Sequence, residues 1–93
     1  MSTMLLKIVT ADGVNRSIGC DSINLWMAPD SSGKGEGSLG IRKDHTEAVI
    51  ALGNGPLTAY QDGKPVFTAR TEGGFATVFS NTITVISRKL SEK

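Results

Sequence analysis

Ninety-three residues, 39% hydrophobic and 20% charged, describe one ordinary globular domain, neither disordered nor fibrous. Folding a chain of this length buries roughly 60–70% of its unfolded surface, enough for one modest core. A formal net charge of +1 argues against nucleic acid as the main partner, since phosphate binding needs a concentrated basic surface; Arg42-Lys43 and Arg88-Lys89 read as solvated charges of a loop and a tail.

Met4 to Thr10 alternates as a strand, with Met4, Leu6 and Ile8 on one face and Leu5, Lys7 and Val9 on the other. Apolar residues on both faces imply burial on both or a contact surface on one. Lys7 interrupts this stretch too early for a signal peptide, and no apolar run reaches the ~20 residues that span a bilayer, so the expected compartment is the cytosol. Ala11-Asp12-Gly13 is a turn, and Val14 to Cys20 is a weaker second strand. Cys20 is the only cysteine, which excludes an internal disulfide and a cysteine-rich metal site; its surroundings favour a small buried hydrophobe over a nucleophile. A third strand follows, with Ile23, Leu25 and Met27 alternating with Asn24, Trp26 and Ala28.

Pro29 to Gly37 reads as a flexible polar loop, the longest break in the pattern. Ser38 to Ile41 resumes a short strand, Arg42-Lys43-Asp44 makes a polar corner with His45, and Thr46 to Leu52 is apolar, the one segment able to pass for a helical turn. Gly53 to Pro56 breaks the chain before a strand from Leu57 to Tyr60. Asp62-Gly63 is a tight hairpin turn, because both positions tolerate positive φ. Pro65 to Thr71 returns, its proline admissible only at a strand start or edge. Phe75 to Phe79, a Ser80-Asn81 turn and Thr82 to Ile86 form a closing hairpin, and Ser87 to Lys93 is a polar tail. Eight to ten short strands with turns every 8–12 residues predict an all-β, two-sheet sandwich or barrel in a single domain spanning 1–93.

Little here supports catalysis. Gly35-Glu36-Gly37-Ser38-Leu39-Gly40 spells a G-x-G-x-x-G string, but a dinucleotide site needs that string to open a helix within a βαβ unit, and its context is strand and corner. His45 is the only histidine and has only Asp44 and Glu47 near it in sequence, so no catalytic residue, metal ligand or cofactor site is assigned. Apolar residues on outward faces, a glycine-rich loop and a charged corner instead suit docking onto other proteins.

Several strings, in order, carry a resemblance. Leu6-Lys7-Ile8-Val9-Thr10-Ala11-Asp12-Gly13, Gly37-Ser38-Leu39-Gly40-Ile41 with Asp44-His45, Gly55-Pro56-Leu57, Gly73-Gly74-Phe75 and Thr82-Ile83-Thr84-Val85 together resemble the N-terminal domain of the ε subunit of F-type ATP synthases. The resemblance covers nearly the whole chain. It implies a flattened sandwich of two five-stranded sheets in the central stalk, non-catalytic and without cofactor. There it joins the gamma subunit to the polar loops of the c-ring, peripheral at the inner face of the membrane. By position it makes Arg42, Lys43, Asp44 and His45 similar to the segment near gamma and the ring. Ser38 falls where many members carry an acid that approaches the ring, and Glu36 is the substitute two residues away.

Departures accompany the resemblance. The family corner reads Pro-Gly-His-Ala-Pro-Leu, whereas Lys43-Asp44-His45-Thr46-Glu47-Ala48 lacks both prolines, which predicts a looser, more charged corner. With the long Pro29–Gly37 loop, this change is expected at one ring-facing end. The polar tail predicts no helical latch of the kind that inhibits ATP hydrolysis or binds ATP in some members. Two alternatives remain: a stand-alone sandwich that binds another protein or a carbohydrate, and a small enzyme dependent on His45.

Overall fold

Alternation in the first strand sets the architecture. Along β1 (Met4–Thr10) the side chains of Met4, Leu6, Ile8 and Thr10 are buried while Lys7 and Val9 face out, so one side of this strand is core and the other is surface. A computed structural model of the chain describes residues 3–92, and these form nine further strands. They are β2 (Asn15–Cys20), β3 (Ser22–Met27), β4 (Gly37–Arg42), β5 (Ala48–Ala51), β6 (Gly55–Gln61), β7 (Lys64–Thr71), β8 (Phe75–Phe79), β9 (Thr82–Ser87) and β10 (Leu90–Glu92). No helix occurs among the described residues.

The strands make two five-stranded sheets, β2-β1-β9-β8-β5 and β10-β7-β6-β3-β4, the all-β sandwich expected from the sequence. Principal extents of 39 × 28 × 21 Å give it a flattened shape. Leu6, Ile8, Ile83 and Val85 of the first sheet pack with Ile23, Leu25, Ile41 and Leu57 of the second, all fully buried. Each such side chain contributes about 1.5–3 kcal/mol by leaving water. At one edge the Arg16 guanidinium lies 5.2 Å from the centroid of the Phe67 ring.

Both prolines of the second sheet sit where a ladder can spare an N–H. Pro65 is in β7, whose outer neighbour β10 pairs only with Ala69 to Thr71. Pro56 is in β6, and the β3–β6 ladder stops at Asn24↔Thr58 before reaching it. In the gap beyond, the Trp26 side chain covers Gly55, where an added Cβ would lie 2.3 Å from Trp26 Cγ. The Asp62-Gly63 turn has φ of 55° and 76°, the left-handed pair a two-residue hairpin needs.

One sequence expectation, the tail, is corrected, and two other segments gain a specific structure. Thr46–Leu52, apolar and able to pass for a helical turn, contains a strand, β5, antiparallel to β8. The polar tail is not all tail, since Leu90, Ser91 and Glu92 pair with Thr71, Arg70 and Ala69 at the edge of the second sheet; its last residue, Lys93, lies outside the described residues. The Pro29–Gly37 loop is organised by Asp30, whose carboxylate accepts the Ser32 and Lys34 amides at 2.9 Å and the Ser32 hydroxyl at 2.7 Å. These bonds, led by the Ser32 hydroxyl, hold the Asp30 pKa below the usual aspartate range.

Two outcomes follow from this packing. Gly74 has φ of 97° and an added Cβ would meet Ile86 O at 2.0 Å, whereas Gly63, at φ 76°, faces open space. Gly74→Ala is therefore expected to lower unfolding free energy by about 2–4 kcal/mol and Gly63→Ala by only about 1–2, measured by urea denaturation with Trp26 fluorescence; equal losses would contradict the account. Because the Asp30 pKa is lowered on folding, its ordering of the loop is fully present above the usual aspartate range and is lost as pH falls through the lower folded value. Amide exchange at Ser32 and Lys34, corrected for its intrinsic pH dependence, should speed up in that acid window while exchange in β1 does not.

Candidate functional site

The residues singled out in the sequence cluster around β4 but at its two ends. Glu36 and Ser38 stand where β4 begins, and Arg42, Lys43, Asp44 and His45 where it ends. Six residues at about 3.3 Å each separate the two groups by roughly 15–20 Å. The Pro29–Gly37 loop enters β4 and the corner leaves it, so the long loop and the altered corner lie at opposite ends of that strand and not together at one end.

At the entrance, Ser38 pairs with Trp26 across the β3–β4 ladder. The Trp26 indole N–H donates to Glu36 Oε2 at 3.0 Å, so this acid, two residues before Ser38, is held by a side chain ten positions earlier. Glu36 remains exposed, and its carboxylate keeps an oxygen for an external donor. At the exit, Asp44 adopts φ of 63°. Its N–H donates to Asn81 Oδ1 at 2.7 Å, and Asn81 Nδ2 returns to Asp44 Oδ1 at 3.4 Å. The corner of the second sheet is thereby tied to the β8–β9 turn of the first, a tether that counters the looseness predicted from the missing prolines. His45 donates from Nδ1 to the Thr46 carbonyl at 2.7 Å, and its N–H reaches Arg42 O at 3.3 Å.

Sequence reasoning missed Trp26 and Asn81 as the residues that position Glu36 and Asp44. It expected apolar residues on outward faces but did not assemble them into the row that crosses the outer face of the first sheet. Register places Val9 beside Ile86, Ile86 beside Phe75 and Phe75 beside Ala51, one residue from each of four neighbouring strands. Val9, Ile86 and Phe75 are each at least 40% exposed and line a shallow groove of about 310 Å³. Phe79 and Val49 on the same face are 65% and 76% exposed. The signal was available: once Ile83 and Val85 are assigned inward, alternation sends Ile86 outward. β1 is thus not buried on both faces, and its outer face carries Val9 in the open.

Other chemistry-bearing residues serve the structure. Cys20 is fully buried, and burial followed by the nearby Asp21 charge pushes its thiol pKa up, against thiolate formation. Among the described residues no three His, Cys, Asp or Glu side chains come together to hold a metal ion, and no helix is long and apolar enough to cross a membrane.

Comparison with known proteins gives this geometry a family. Residues 3–93 match the ATP synthase, Delta/Epsilon chain, beta-sandwich domain. The ATP synthase epsilon chain of Pelotomaculum thermopropionicum is 31% identical over 85 residues, covering 91% of this chain and 58% of that protein. The ATP synthase epsilon chain of a Synechococcus species is 31% identical over 87 residues, covering 90% and 56%. The chain therefore spans a little over half the length of these curated relatives. Among solved structures, a chain of the Euglena gracilis mitochondrial ATP synthase superposes with a TM-score of 0.73 at 17% identity, covering 99% of this chain and 54% of that one. A chain from the central stalk and c-ring structure of the Tetrahymena thermophila mitochondrial ATP synthase gives a TM-score of 0.67 at 18% identity, covering 95% and 65%. These two likenesses bear on the fold, and the match from residue 3 to residue 93 bears on descent: the chain belongs to the ATP synthase delta/epsilon chain β-sandwich family.

Proposed function

We propose that this chain is a coupling part of an F-type, ion-translocating ATP synthase, joining the gamma subunit to the c-ring in the central stalk. It acts mechanically, as a non-catalytic member of the complex, without cofactor, and sits peripheral to the membrane. The observation that carries this reading is the family match along residues 3–93, and two features of the surface support it. First, β4 presents different chemistry at its two ends, an acid and a serine at one and a cationic, tethered corner at the other. A part that bridges two partners needs two contact points at a fixed spacing, and β4, the edge strand of the second sheet, is paired along its whole length with β3, which holds that spacing. On this reading the Glu36 and Ser38 end meets the ring, and the Arg42 to His45 end meets gamma.

Second, the Val9–Ile86–Phe75 row supplies uncovered apolar area. Torque passes through an interface only if that interface is dry and well packed, which is the composition of obligate contacts. Among a chain's outward side chains, such a row is what a stable heteromeric contact requires. In a reconstitution of this chain with the gamma subunit of the same organism, a one-to-one complex with a Kd of about 1 μM or below is expected by size-exclusion and calorimetry. A chain that stays monomeric beside folded gamma would sink the proposal.

A further inference from the structure

A second groove lies on the outer face of the second sheet, and its chemistry differs from that of the apolar row. Asn24 of β3 pairs with Gly40 of β4 and with Thr58 of β6, while Ser22 pairs with Arg42 and with Tyr60. Ile23, Leu25 and Ile41 of these strands point inward, so these pairs face solvent. Gly40 carries no side chain, and a Cβ there would stand 3.2 Å from Asn24 Oδ1, so the gap above it forms the floor of a groove. The groove has a volume of about 560 Å³; Asn24, Tyr60, Arg42, Lys43 and His45 lie along it.

We propose that this groove recognises a carboxylate-bearing loop of a protein partner. Its lining combines a guanidinium, an ammonium and an imidazole with amide and hydroxyl donors, and includes no Asp or Glu. Asp21, Asp44 and Asp62 adjoin lining residues in sequence but do not themselves line the groove. Asp44 is turned to Asn81 of the first sheet, and Asp21 Oδ2 accepts the Asp62 N–H at 2.9 Å. Neither the Arg42 guanidinium nor the Lys43 ammonium has an ion-pair partner among the described residues. The side chains that line the groove therefore combine two cations with hydrogen-bond donors and include no carboxylate.

The shape selects among anions. A small-molecule site encloses 70–90% of its ligand, whereas this groove runs open along a sheet surface and leaves room for an extended segment. Nucleic acid needs many phosphate contacts, and two strong cations do not provide them. A carboxylate accepts two parallel bonds from a guanidinium, a geometry the planar Arg42 fork suits while Asn24 and Tyr60 supply further donors. Exposed charge pairs of this kind contribute more to partner choice and docking orientation than to affinity. The inference rests on the coupling reading only in naming that partner as gamma; the preference for carboxylates is testable without it.

The test is a titration of the 15N-labelled chain by two-dimensional NMR with a capped Glu- and Asp-rich hexapeptide, its Gln and Asn counterpart, and inorganic phosphate. The acidic peptide should shift the amides of Asn24, Gly40, Arg42 and Tyr60 saturably, with the neutral peptide and phosphate at least tenfold weaker. Arg42→Glu with Lys43→Glu should abolish the response, and Gly40→Leu, which fills the floor at unchanged charge, should weaken it at least fivefold. Both charge reversals are at exposed positions, so they carry the test if Gly40→Leu does not fold. Phosphate binding as tightly as the peptide, shifts spread over all basic residues, or full binding by a folded Gly40→Leu would each overturn the proposal. Gamma association without peptide binding removes the groove alone, whereas peptide binding without gamma association supports the groove and removes only the coupling reading.

Discussion

The fold depends on how the chain passes between its sheets at one end of the sandwich, and that passage converges on the hydroxyl of Ser87. Its Oγ accepts the Glu72 N–H at 3.2 Å and lies 2.9 Å from the Lys89 carbonyl, 3.1 Å from that of Gly73 and 3.3 Å from that of Glu72. One hydroxyl has one proton, so it donates to one carbonyl at a time, and Lys89 O is the nearest. The Ser87 carbonyl accepts the Ala11 N–H, which brings in the β1–β2 turn. The β7-to-β8 and β9-to-β10 crossings therefore share one buried residue. Thr71 does the same for the β5-to-β6 crossing by donating to Gly53 O at 3.1 Å. Backbone groups at a sheet crossing have no ladder partner, and leaving one buried and unpaired costs about 1–3 kcal/mol. Among the described residues no buried side-chain polar atom lacks a partner.

This has a mechanical consequence. One end is locked by Ser87 and Thr71, and the other by the Asp44–Asn81 and Asp21–Asp62 contacts, which join loops of different elements. Between them β1 and β9 run parallel in the middle of the first sheet, so strands from near both ends of the chain hold it together. A body closed at both ends moves as a unit. That property turns β4 from an ordinary strand into a spacer of set length, with one chemistry at its entrance and another at its exit. The Cys20 thiol and the Asp30 carboxylate are likewise moved from their ordinary pKa values by burial and by loop hydrogen bonds, causes that belong to the scaffold.

Much of this was legible in the sequence where one strand carries its own pattern. Alternation located the buried faces of β1 and β3, Asp62-Gly63 located its hairpin, and Pro65 marked a strand start. What stayed hidden depends on partners distant in sequence. Leu90–Glu92 forms β10 only because β7, some twenty residues earlier, leaves part of its edge open. No local pattern reports that β1 lies beside β9. The spread of the candidate site follows a related rule: residues 36–45 are contiguous, and contiguity suggests proximity. In an extended strand it means the reverse, since each residue adds about 3.3 Å. Gly40 was legible as part of a family motif, but its role as the open floor between Asn24 and Tyr60 needed the register of three strands.

The central claim is that the two ends of β4 address two different subunits. Site-directed cross-linking in the assembled synthase tests it most directly, with Ser38→Cys and Lys43→Cys placed singly and Cys20 left in the core. The account predicts that position 38 links to the c-ring and position 43 to gamma. Both positions linking to the same subunit, or neither linking to ring or gamma, would contradict it.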